Sequence, residues 1–291
     1  MKSSLKRSLT LIIGVLVGSM IVFDLKAQEL GNSLLWKIEN ENIAPSYVYG
    51  TFHILPQKDF EIKPSVSKAF EESKKIVLEL DMDDPSLQME MMQHARMKND
   101  QTLDELMSEE EYSMINRILS STTGVGIEAY NSMKPFVLSS MLIPTLIEGR
   151  PASFEATFTQ MASSAGKETL GLESPKEQME VFDQISYQSQ VNDLLDIIKK
   201  RDEMKSMFSK MVETYKSEEI DSMYNMIVEY MDDQEEVNYL LHERNKRWIG
   251  RIGDLAKDET TFFGVGAGHL GGDDGLLSLL RREGYTVTPV K

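Results

Sequence analysis

The chain has 291 residues, 41% of them hydrophobic and 27% charged, which is enough apolar material for one large core or two small ones. Its 47 acidic residues against 31 basic give a formal charge of −16, so a partner built on a phosphate backbone is excluded and no nucleic acid is expected. Cysteine is absent, which removes disulfides, thiolate metal sites, cysteine nucleophiles and a lipidated-cysteine anchor.

Residues 1–27 read as a signal peptide. Lys2, Lys6 and Arg7 precede the apolar stretch Leu9–Phe23, and Ala27 supplies a small residue at the cut. The stretch is short for a membrane span, so the expectation is cleavage, no stable span afterwards and a periplasmic or secreted product, with a retained anchor as the lesser alternative.

The remainder, residues 28–291, opens with two β-rich runs, Leu34–Ile38 and Ser46–Gly50, parted by a polar loop as in a hairpin. After His53, Pro64 starts a helix reaching Ser73, and Lys75–Leu80 reads as a strand, which completes a βαβ unit. From about residue 85 to 256 helical patterns dominate, broken near Gly124, Gly149 and Gly166, with one strand candidate at Glu168–Glu173. Strand Thr260–Val265, helix Gly275–Arg282 and strand Tyr285–Val290 close the chain, with Gly284 as the helix stop. The expected fold is α/β: a single domain with a central sheet and a large, mainly helical insertion.

Seventeen of the nineteen methionines fall between Met82 and Met231. The patch Met89, Met91, Met92, His94 and Met97 offers soft ligands for Cu(I), but helical spacing alone accounts for it. Adaptable packing, or a groove for an apolar or extended substrate, is the expected role.

Two glycine-led turns, Gly50-Thr51-Phe52-His53 and Gly266-Ala267-Gly268-His269, each place a histidine at the close of an apolar run. The chain has only four histidines, so two at matching turns suggest a shared site. Ligands of open α/β sheets sit beyond the carboxyl ends of strands, and here those ends carry His53, Glu79 with Asp81, Glu173 and His269. Imidazoles plus a carboxylate suit a divalent metal with an open position; the competing reading is four unrelated polar strand ends.

Glu79 sits inside the apolar run Ile76–Leu80, where an unpaired carboxylate is costly, so it needs a partner. Alternation puts Asp81 on its face of the strand, which makes either a ligand or a general base. Glu173 belongs to the same pocket or to a turn and helix cap at Ser174-Pro175. On a helix over 233–255, Val237, Leu241, Trp248 and Ile252 form the inner stripe, with Arg244 and Asn245 turned inward, Glu243 outward and His242 on the flank. A buried Arg244 must meet carboxylates or an anionic ligand, as an ion pair or as a substrate contact. The glycines around His269 expose N–H groups able to form an anion nest. Gly266, Gly268 and Gly271 match G-x-G-x-x-G, but no acid stands about 20 residues on to hold a ribose, so the dinucleotide reading is weak.

In order along the chain, Leu35-Trp36-Lys37-Ile38, Tyr49-Gly50-Thr51-Phe52-His53, Leu78-Glu79-Leu80-Asp81, Gly171-Leu172-Glu173, Glu243-Arg244-Asn245 and the run Val265–Leu277 carry a resemblance to the TraB/GumN family, also called the Tiki-like group. The resemblance implies a central mixed sheet of the ChaN and erythromycin-esterase type. In the Tiki members it also implies metal-dependent peptide-bond hydrolysis with manganese or cobalt, and zinc or iron would suit the same ligand types. Carried over by position, the metal ligands are His53, Glu79 and His269. The catalytic residues are Glu79, Glu173 and Arg244: a water activated by the metal with Glu79 or Glu173, and charge stabilised by Arg244. The expected function is an exported metal-dependent hydrolase, a peptidase acting on a peptide or protein. The alternative is a non-catalytic cell-envelope protein that holds a pheromone-like peptide.

Overall fold

The β-rich runs Leu35–Glu39 (β1) and Ser46–Thr51 (β2) form an antiparallel hairpin, with Trp36 opposite Val48 and Ile38 opposite Ser46, all four fully buried. The structure, a computed structural model, describes residues 31–231 and 233–291, which belong to the compact unit Gly31–Lys291. The signal-peptide reading falls on residues outside that description.

Six further strands follow: Leu55–Pro56 (β3), Lys75–Leu78 (β4), Pro151–Ala152 (β5), Glu168–Gly171 (β6), Thr261–Gly266 (β7) and Thr286–Val290 (β8). β3 and β5 form a small antiparallel pair. The others make one sheet in the order β6-β4-β7-β2-β1-β8. The first four in that order run parallel, and β1 is antiparallel to both β2 and β8. The sheet is therefore mixed, as expected. Every residue of β7 is buried, Phe262, Phe263 and Val265 among them, as an inner parallel strand covered on both faces requires.

Between β4 and β7 the chain is mainly helical and builds a second apolar core, in which Leu103, Ile115, Leu119, Leu138, Leu142 and Val191 are fully buried. Met97 joins that core while Met89 and Met92 are exposed, so the methionine patch is not one cluster of side chains. The helix Pro64–Glu72 starts with proline in its first turn. At its other end Lys167 Nζ donates to the carbonyls of Phe70, Glu71 and Ser73. Among the described residues no helix is long and apolar enough to cross a membrane.

Two strands are shorter than the sequence suggests. β4 stops at Leu78 and β6 at Gly171, which puts Glu79 and Glu173 just past the strand ends, joined through Leu172 N–H to Leu78 O and Glu173 N–H to Glu79 O. The helix expected over 233–255 forms as Gln234–Val237, a wider π turn at Asn238–His242, and Glu243–Leu255. Its inner face holds Val237, Leu241, Arg244, Asn245, Trp248 and Ile252, all buried.

Candidate functional site

Because β6, β4, β7 and β2 are consecutive parallel strands, their carboxyl ends lie side by side, and Glu173, Glu79, His269 and His53 follow them in that spatial order. The register sets Thr51 beside Gly266, so the two glycine turns issue from adjacent strand ends although their histidines are 216 residues apart. The turns also touch: a Cβ on Gly50 would lie 2.7 Å from Leu270 Cδ1 and 3.2 Å from Ala267 Cα, so any larger residue would force the second turn to shift.

Glu79 is the hub. Its Oε1 accepts Gly266 N–H at 2.8 Å and lies 3.9 Å from His53 Nε2 and 3.8 Å from His269 Nε2. Its Oε2 accepts from Arg244 Nη2. Arg244 also donates through Nε and Nη2 to Glu173, at 3.1 and 2.7 Å to Oε1, and through Nη1 to Leu240 O and His269 Nε2, each at 3.1 Å. Trp248 lies under its guanidinium, 4.8 Å from ring centre to Cζ. Gln178 adds a further donor to Glu173, and Arg247 stands 3.8 Å from it. The inward Arg244 thus meets Glu79 and Glu173 together, which answers the need for a partner at Glu79.

The charges follow from this geometry. Burial raises the Glu79 carboxyl, but Arg244, the charge of His53 and the Gly266 amide outweigh it and hold the group well below the ordinary carboxylate range. Burial, then the neighbouring Arg244, push His269 down to about 3, so its ring is neutral. Arg244 has only donors, so His269 Nε2 must be the acceptor and Nδ1 carries the proton, which goes to Asn245 Oδ1 at 2.8 Å. For His53 desolvation disfavours charge, but the hydrogen bond to Glu155 and the charges of Glu79 and Glu155 raise it to about 9.

Glu155, in the first turn of the helix Phe154–Ala165, is a site residue that sequence reading missed. Its Oε1 accepts from His53 Nδ1 at 2.9 Å and from Thr51 Oγ1 at 2.7 Å, and its Oε2 accepts from Ser153 Oγ. An acid in a first helical turn after a serine cap reads as helix-end electrostatics, so nothing in the local pattern marks it out. Asn245 was placed inward by periodicity, but its bond to His269 was not foreseen.

Asp81 does not share the pocket of Glu79, as strand alternation suggested. Once β4 ends at Leu78 the alternation lapses, and Asp81 lines a hollow of about 350 Å³ with Asp84, Leu87, Glu90 and Glu173. There partial burial and Asp83 push it up to about 6. His242 is satisfied core, buried and within 3.0 Å of the Tyr224 hydroxyl.

Among the described residues no group of three or more His, Cys, Asp or Glu side chains is drawn together at ligating separation. The donors nonetheless suit a cation. Two imidazole nitrogens face one carboxylate oxygen, and Gly266 keeps the space between them clear: a Cβ there would lie 3.3 Å from both Glu79 Oε1 and His53 Nε2. To share all three donors a cation would displace the Nε2 proton of His53 and take over the His269 Nε2 lone pair that Arg244 Nη1 now uses.

Residues 34–289 match the family described as TraB/PrgY/gumN. The chain belongs to that family. Similar proteins include "Metalloprotease TIKI2" of Danio rerio, 23% identical over 316 residues, covering 88% of this chain and 60% of the relative. "Metalloprotease TIKI1" of Danio rerio is 24% identical over 315 residues (88% and 63%), and its Homo sapiens namesake 24% over 313 (88% and 61%). This TraB/PrgY/gumN chain thus spans about three fifths of the length of the curated relatives it matches. No solved structure matches it.

Proposed function

We propose that the protein is an exported, metal-dependent peptidase of the cell envelope, periplasmic or secreted, with the ChaN and erythromycin-esterase type of fold. The observation that carries the reading is the convergence of His53 Nε2 and His269 Nε2 on Glu79 Oε1 across the space left by the missing Cβ of Gly266. Similarity to proteins named metalloproteases supports the reaction class.

His53, Glu79 and His269 would hold the cation, manganese or cobalt by resemblance. When bound it supplies a Lewis acid that polarises a peptide carbonyl and acidifies a water. The remaining roles belong to the chain. Glu79 keeps its carboxylate ionised and hydrogen-bonded to Gly266 N–H, so its Oε1 is fixed in direction. Arg244 is the positive group in contact with both Glu79 and His269 and offsets negative charge developing on a substrate oxygen. Glu173, with no exposed side-chain area and engaged by Arg244 and Gln178, holds that guanidinium in place.

The test is cleavage of a peptide library by the purified full-length protein with manganese, cobalt or chelator, repeated with His53→Ala and His269→Ala. Metal-dependent cleavage lost in both variants is expected. Cation binding unchanged in both variants would sink the proposal, and intact peptide recovered bound to the wild type would favour capture without turnover.

A further inference from the structure

The two histidines facing Glu79 are held in very different settings, yet each spends the same ring atom on a neighbour. We propose that Glu155 and Asn245 are positioning residues: each takes the Nδ1–H of one imidazole, so that the Nε2 of both rings is presented to Glu79 Oε1. The inference deepens the reading of a cation at this site and rests on it for its function, but its structural half stands on hydrogen bonds within the chain.

At His269 the assignment follows by two independent routes. Arg244 Nη1 lies 3.1 Å from Nε2 and can only donate, so Nε2 is the bare nitrogen. Asn245 Oδ1 lies 2.8 Å from Nδ1, and with its amide oxygen there its Nδ2 reaches the carbonyls of His269 and Asp274 at 3.2 and 2.9 Å. The amide thus grips both the ring and the backbone that carries it. Reversing the amide would set a donor against Nδ1–H and an oxygen against two carbonyls.

At His53 the need is greater, because 64% of the side chain is accessible and packing does not fix the ring. A half-turn about the ring bond would move Nε2 away from Glu79. Glu155 opposes that turn by accepting Nδ1–H at 2.9 Å, and is itself fixed by Thr51 Oγ1 on the same oxygen and Ser153 Oγ on the other. Partners on the far nitrogen of a ligating imidazole set its tautomer and orientation, and their loss typically weakens cation binding about 10–100-fold.

Only four histidines are present, so a chain labelled with ¹⁵N in histidine alone gives a spectrum in which His53 and His269 are assigned by substituting each in turn. In the cation-free full-length protein we expect a protected Nδ1–H on both rings and a bare Nε2 on His269. Glu155→Ala and Asn245→Ala should each expose the corresponding Nδ1–H to solvent exchange and weaken manganese binding about 10–100-fold. Glu155→Gln keeps an acceptor oxygen and should restore much of both readouts, which separates positioning from general damage to the fold; Asn245→Asp also keeps an acceptor for Nδ1–H but sets its second oxygen against the carbonyls of His269 and Asp274, so it should restore protection of Nδ1–H at a cost in stability. A proton on His269 Nε2, or alanine variants that keep manganese affinity, would overturn the inference. Protected Nδ1–H protons in a wild type that binds neither manganese nor cobalt would instead remove the cation reading and leave the positioning intact.

Discussion

Replacing Gly266 with alanine adds one methyl group at the centre of the site. Gly266 has φ −52° and ψ 134°, a backbone that alanine adopts freely, so the substitution itself introduces no strain. The loss of chain freedom in the unfolded state favours alanine by about 0.4–1 kcal/mol. Against this stand two contacts at 3.3 Å, to Glu79 Oε1 and His53 Nε2, and the accessible His53 ring can yield by the few tenths of an ångström required. Net stability should therefore change by less than about 1 kcal/mol, a shift of roughly 2–4 °C in Tm for a domain of this size. Cation binding is another matter. The midpoint of the 3.9 Å gap between His53 Nε2 and Glu79 Oε1 falls roughly 2.7 Å from the new carbon, inside the ~3.5 Å of an ordinary contact. We expect manganese affinity by titration calorimetry to fall about 100-fold or more, equivalent to ~2.7 kcal/mol, with peptide cleavage falling alongside it and the melting curve nearly unmoved. Wild-type affinity and turnover in Gly266→Ala would refute the placement of a cation between these groups.

Arg244→Met should cost about 3–5 kcal/mol in urea unfolding, because it leaves Glu79 and Glu173 buried without their shared counter-ion; adding Glu173→Gln should recover part of the loss, and no recovery would argue against that pairing. Lys167→Met strips three carbonyls at the end of the helix Pro64–Glu72 of their donor and should lower stability by about 1–3 kcal/mol, read as an earlier denaturant midpoint at unchanged slope. Glu177 is held at about 2 against an ordinary 4.5, first by its bond with Arg251 and then by its place in the cap of the helix Pro175–Val181. A carboxyl with a depressed folded-state pKa contributes stability that is complete above its unfolded value and fades as pH falls through the folded one. The difference between wild type and Glu177→Gln should thus hold constant above about pH 5 and close as pH falls towards 2; a difference independent of pH over that window would refute the assignment.

What the sequence made legible was whatever repeats with a period or breaks a run. Apolar β-rich runs bounded by turns marked the hairpin and the strands, helical periodicity turned Arg244 and Asn245 inward, and glycine after an apolar run marked both histidine turns. Glu79 stood out because a carboxylate in an apolar run must find a partner, and the structure supplies Arg244. Asp81 was misplaced because alternation was carried three residues past the point where the strand ends. Glu155 was invisible for a different reason: its partner is 102 residues away, and locally it resembles any acid at a helix start. The π turn at Asn238–His242 likewise left no trace in the hydrophobic pattern, since the inner stripe survives it.

The two site histidines differ most in how they meet water: 64% of the His53 side chain is accessible and 5% of His269. Trp248 lies 4.5 Å from the His269 ring, and Asn245 and Arg244 occupy both of its nitrogens. His53 is therefore the solvent-facing ring of the pair and His269 the enclosed one. An imidazole-modifying reagent will label His53 long before His269, and the same asymmetry leaves His53 as the ring that meets solvent at the Glu79 carboxylate.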